Sequence, residues 1–268
     1  PETLPFLRQQ IGLIREEKGR EEETLRLIGR VRPEAIKLEE HEHVVNLYWE
    51  EYLVGKHILM YARDSVGLRP SRIYNMASGF FRMRTSANKA AEYIEEHDVD
   101  NLRARSHRFL GEVSMVESAA LKRPPVKAEE HFAKAVEEFK KYPDFGQRKN
   151  ALELSGFLAE AMVLNGKIAE GFELAKETFQ AYDEGDGTTL KETNYHEWAV
   201  WKSGCVTKLG HALIYLGIEL DEERKSVLKG MLDKARFILD NIPEGVDLEP
   251  EDFQIRREDV AGVEAYFF

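Results

Sequence analysis

The 268 residues carry 38 Lys and Arg against 49 Asp and Glu, a net charge of −11, so the overall field repels phosphate backbones and anionic lipid. Nucleic acid and membrane are thereby excluded as partners, and no apolar run approaches the ~18 residues of a membrane span. Hydrophobic residues at 43% are enough for a continuous core, and the single cysteine, Cys205, excludes an internal disulfide and fits a reducing compartment, the cytoplasm.

In chain order, segment 4–18 places Leu4, Leu7, Ile11 and Ile14 on one helical face. Segment 21–32 repeats the pattern with Leu25, Ile28 and Val31 until Pro33 interrupts it, since proline lacks the amide hydrogen that a helix interior needs. A longer, aromatic-rich helix is expected from about Glu39 to Arg63, closed by Ser65 and Gly67, then a second over Ser71 to Glu96. A third runs from Asn101 to Leu121 and ends before the Pro124–Pro125 pair. Residues 126–144 set Ala128, Phe132, Ala135 and Phe139 on one side, and helices follow over 148–165, 168–183, 193–216 and 221–241. GDGTT at 185–189 reads as an interhelical loop, not a nucleotide cradle. The acidic tail, 242–268, is expected to be ordered, folding over the helices before it or packing on a neighbouring molecule. Period-two alternation is absent, so the fold class is all-α.

A repeat underlies these helices. Gly12 and Gly19 stand seven apart near the start, Gly210 and Gly217 seven apart near the end, and the second glycine of each pair closes a helix. The segment Ala151–Tyr182 is the most regular: glycine at its turn (Gly166), small residues Gly171, Ala175 and Thr178 in its second helix, and bulky Leu158, Met162, Phe172 and Phe179 between units. This layout resembles a tetratricopeptide repeat, in which small residues let the two helices of a unit approach. Fair matches involve Thr24, Ile28 and Val31 in the first unit and Leu110, Gly111, Ala128, Phe132 and Ala135 in the third; 39–97 matches poorly. The resemblance implies a right-handed superhelix of about five helix pairs over 1–241, followed by the tail, with a groove that holds a peptide or protein segment. The positions that form a carboxylate clamp in that family carry Gln9, Leu13, Arg108, Glu112, Gly156, Glu160, Thr207 and His211, so the clamp is not reproduced.

Catalytic patterns are weak. None of the eight histidines lies four residues from another, and only Glu40 and His43 form Glu-x-x-His, so neither metal nor cofactor is expected. The acidic and histidine-rich run 39–43 reads as a solvated first helical turn. Cys205 reads as a buried, inert thiol. Two features remain. Aromatics Tyr48, Trp49 and Tyr52, near Lys56 and His57, and the later set Tyr195, Trp198 and Trp201, belong either to the core or to a groove. The arginines 82, 84, 103, 105 and 108 either pair with neighbouring glutamates or anchor an anion. The candidate partner-contacting residues are therefore Trp49, Tyr52, Lys56, Arg105, Arg108, Glu112 and His211. A non-catalytic scaffold is expected, whose partner segment combines a hydrophobic anchor with a carboxylate; a peptide-sensing regulator is the alternative, and an all-helical enzyme ranks behind both.

Overall fold

The computed structural model describes residues 3–17, 19–64 and 70–268, and among them every regular element is helical, with no strand. The α-helices are α1 (Leu4–Glu16), α2 (Glu21–Lys37), α3 (His41–Asp64), α4 (Pro70–Glu96), α5 (Arg103–Ala120), α6 (Val126–Lys140), the single turn α7 (Phe145–Arg148), α8 (Asn150–Leu164), α9 (Ile168–Ala181), α10 (Gly185–Thr193), α11 (Tyr195–Leu216), α12 (Glu222–Asp240) and α13 (Gln254–Phe267). Lys18, the end of the first predicted segment, and Ser65 and Gly67, read above as helix-closing positions, lie outside the described residues.

The contacts gather into two compact units, Pro1–Glu117 and Ser118–Phe268. In the first, α1 packs on α2 and α3, and α3 on α4. Leu4, Ile11, Ile28, Ala35, Val44 and Leu47 form one part of its core. Val45, Trp49, Tyr52, Met83, Ala87, Ile94, Phe109 and Val113 form the other. Helices α3 and α4 approach through glycines: a Cβ on Gly55 would stand 2.8 Å from the Gly79 carbonyl oxygen, and one on Gly79 would stand 2.7 Å from that of Gly55.

In the second unit α8 is central, touching α6, α9 and α11, and α11 in turn meets α12 and α13. Two local signals define α11, which positions the site described below. The Asn194 side chain caps its start by accepting from the Glu197 amide at 3.0 Å, and Gly217 ends it in the left-handed conformation at φ +64°. Helices α8 and α9 close on Gly171, where a Cβ would lie 2.7 Å from Val163 Cγ2 and 2.8 Å from the Ala159 carbonyl oxygen.

Three sequence expectations change. Helix α2 runs through Pro33 to Lys37, because Pro33 and Gly29, whose carbonyl loses its amide partner, both face solvent while buried Ile28, Val31 and Ala35 hold the helix to its neighbours. GDGTT is not a loop but the first turns of α10, with Asp186 accepting from Arg148 Nε at 2.7 Å and from Nη2 at 2.8 Å. The tail, read above as ordered, contains helix α13, which packs on α11 and α12. Finally, the turn glycines Gly19 and Gly217 are alike, both at positive φ, but Gly12 and Gly210 are not. A Cβ on Gly12 would meet nothing within 4 Å, whereas one on Gly210 would run into Val263 of α13.

Candidate functional site

The structure brings six of the seven candidate residues together. On α3, Trp49, Tyr52 and Lys56 follow one another at helical spacing; on α5, Arg105, Arg108 and Glu112 do the same. Glu112 is the hub, because one of its oxygens accepts from Tyr52 Oη at 2.9 Å and Lys56 Nζ at 2.6 Å, and the other from Arg108 Nε at 3.2 Å. Burial alone would raise its pKa, yet the two cations and the donated hydrogen bonds outweigh burial and hold it down to about 2. Tyr52 moves the other way, well above its usual value, through burial and the adjacent carboxylate.

This arrangement corrects the groove reading for two residues. Trp49 is 1% and Tyr52 0% exposed, and Phe109 packs against both rings, so they are core rather than contact surface. Lys56 and Arg108 are engaged by Glu112. Of the wider arginine patch, Arg82 pairs with Glu51 and Arg103 with Asp100. Arg105 differs: its guanidinium lies 4.4 Å over the Trp49 ring, and its side chain remains open to solvent. Desolvation by the flanking protein, together with Arg108, pulls it down to about 10.

His211 belongs to the second unit, exposed on α11. There the spacing of Glu153, Phe157 and Glu160 on α8 makes one stripe, and that of Trp201, Gly204 and Lys208 on α11 another. The Lys208 ammonium sits 4.2 Å over the Phe157 ring, and no acceptor among the described residues lies within hydrogen-bonding distance of it. A Cβ on Gly204 would lie 3.3 Å from Lys208 Nζ and 3.4 Å from Arg256 Cζ of α13, so two cations converge on a residue without a side chain. Arg256 donates from Nη1 to Thr207 Oγ1 at 3.2 Å and to Asp259 at 3.0 Å, while its buried Nε has no partner. Desolvation lowers both cations, and it drives Glu160 up to about 7 against the attraction of Lys208. Of this face sequence reading singled out the aromatic Trp201 and missed the cations; the signal was the glycine at 204, set between Trp201 and Lys208 on one stripe.

Elsewhere the chemistry is structural. His41 stacks on His97 at 4.4 Å and shares a 3.0 Å hydrogen bond with Tyr93 Oη. Among the described residues no group of three His, Cys, Asp or Glu side chains is placed to hold a metal ion. Cys205 is buried, points its thiol at the Ala175 carbonyl at 3.4 Å, and is pushed up to about 12 by burial. No family model, curated protein or solved structure matches this chain.

Proposed function

We propose that the chain is a tetratricopeptide-like helical-repeat module, a right-handed superhelix with no catalytic role, that holds an extended segment of a protein partner on the α8–α11–α13 face. The observation that carries the reading is Lys208: a half-buried ammonium without an acceptor among the described residues, packed together with Arg256 against buried Gly204. An ammonium so placed has lost part of its hydration and gained no carboxylate in return, a deficit that an incoming anion removes. Half-buried Phe157 and Trp201 flank the cations and supply apolar surface, so the segment joins a hydrophobic side chain to a carboxylate. The free, buried Cys205 suits work in the cytoplasm.

The test is selection from a random peptide library with free C-termini, run in parallel on the wild type and on Lys208→Glu. Enrichment of sequences pairing an aromatic or aliphatic residue with an acidic group, lost in a variant of equal melting temperature, is the expected result. An identical enriched set from both proteins would remove Lys208 from the site and this reading with it.

A further inference from the structure

Helix α4 is uncharged on two opposite faces, and only one of them is covered. Its inner face, Met83, Ala87, Ala90 and Ile94, lies in the core of the first unit, and Gly79 closes on Gly55 of α3. A helix turns once in 3.6 residues, so the line that runs opposite is Tyr74, Ala77, Phe81, Thr85 and Asn88. All five are exposed, Tyr74 at 73% and Phe81 at 60%, and Ile73 beside them stands at 60%. The spacing of residues 74, 77, 81 and 88 is that of a seam by which one helix packs on another, not that of the charged outer line of a surface helix.

The charge beside this line is of one sign. From Pro70 to Ala91 α4 contains no Asp or Glu, although acids outnumber bases in the chain as a whole. It carries Arg72, Arg82, Arg84 and Lys89, of which Arg82 pairs with Glu51 and Arg72 donates to the Ala62 carbonyl at 2.7 Å. Arg84 and Lys89 are exposed, one on each flank of the line, and have no carboxylate within ion-pairing distance among the described residues.

We infer that the outer line of α4 docks a helix of a partner protein, apolar along its facing stripe and acidic on its flanks. Tyr74 and Phe81, two turns apart, supply the aromatic anchors, and a carboxylate on either flank of the incoming helix would pair with Arg84 or Lys89. A second copy of this chain fits the line poorly, because its own α4 brings the same cations and no carboxylate between Pro70 and Ala91. A membrane surface fits poorly as well, since two cations attract anionic lipid only weakly against a net charge of −11. The surface lies wholly in the first unit and is independent of the segment-binding face on α8, α11 and α13.

Display selection on the full chain tests it. A library of helical peptides about three heptads long, randomised at stripe and flanking positions, is panned on the wild type and on a variant carrying Tyr74→Ser and Phe81→Ser. Both positions are exposed, so the variant should melt with the wild type. The expected result is enrichment, on the wild type alone, of peptides with apolar residues three and four apart and Asp or Glu beside them. By fluorescence anisotropy the most enriched peptide should bind a variant carrying Arg84→Glu and Lys89→Glu at least ten-fold more weakly than the wild type, and its affinity should fall as sodium chloride is raised. No enrichment, enrichment undiminished in the serine variant, or flanks rich in lysine would overturn the assignment. So would a wild-type dimer in sedimentation that the serine variant dissolves, which makes a second copy the occupant, or pelleting with phosphatidylglycerol vesicles that the serine variant loses, which makes it a membrane.

Discussion

Replacing Gly171 with alanine asks whether the α8–α9 pair is held by close approach, because two effects of opposite sign meet there. In an open helix, alanine in place of glycine stabilises by about 0.5–1 kcal/mol, since glycine loses more backbone freedom on folding. At Gly171 the added methyl would fall 2.7 Å from Val163 Cγ2, 2.8 Å from the Ala159 carbonyl oxygen and 3.0 Å from the Val163 amide nitrogen. Two of these are backbone atoms on one helix and cannot rotate aside. Overpacking of this kind costs about 1–3 kcal/mol, so a net loss of about 1–2 kcal/mol is expected. At about 2–4 °C per kcal/mol, the melting temperature should fall by roughly 2–8 °C. Gly230, inside α12, is the matched control: a Cβ there meets nothing within 4 Å, so Gly230→Ala should raise the melting temperature slightly. Thermal melts followed by circular dichroism compare the pair directly. Leucine at Gly171 or Ala175 should cost more than leucine at Lys176, which is paired with Glu173 on the outer side. If Gly171→Ala stabilises as much as Gly230→Ala, the close approach does not hold the pair and the reasoning fails.

The two buried carboxylates should give pH dependences of opposite slope. Glu112 has a folded pKa of about 2, below its unfolded value, so its contribution of about 3 kcal/mol is present above pH ~4.5 and lost as pH falls through 2. Unfolding free energies of the wild type from urea titrations should drop across that window, while those of Glu112→Gln, lower at neutral pH by roughly 3–5 kcal/mol for a broken buried pair, should change less. Glu160 is raised to about 7, so the native state holds the extra proton and stability should decline as pH rises from ~4.5 through 7. Glu160→Gln should abolish that decline and exceed the wild type at pH 8; a decline that persists in the variant would remove Glu160 as its cause.

How much the sequence disclosed depended on how local the cause was. The turn glycines Gly166 and Gly217 were legible because a positive φ is a property of one residue and its neighbours. So was the Ala151–Tyr182 unit, whose small residues meet a helix only a few positions away. Gly55 and Gly79 were not, since their contact joins the middles of two long helices and neither position alone says what it faces. Gly210 was legible as a small residue and misread in purpose: it admits Val263 from a helix that begins more than forty residues later. Pro33 was read as a break on propensity, which tertiary packing of Ile28, Val31 and Ala35 overrode. The arginine patch illustrates the same boundary. Spacing identified the cations, but which of them had carboxylates depended on Glu50, Glu51 and Glu112, residues that sequence alone could not assign to one arginine or another.

Incomplete pairing, more than charge itself, separates the structural from the available groups in this protein. Glu112 receives three donors and stays ionised at any physiological pH, so it fixes α3 to α5 and leaves nothing for a ligand to satisfy. Glu160 and Lys208 stand on facing stripes without a hydrogen bond between them, and burial shifts both toward their neutral forms. Rotating the two into contact would have satisfied both, as it does for Lys202 and Asp183 nearby. The Phe157 ring instead holds the ammonium, and the missing side chain at Gly204 leaves room for it and for Arg256. A charge kept short of partners costs stability, because a desolvated ion without a hydrogen bond is worse off than the same ion in water. A carboxylate brought to Lys208 would offset that cost, which is the physical basis of the proposed segment-binding face.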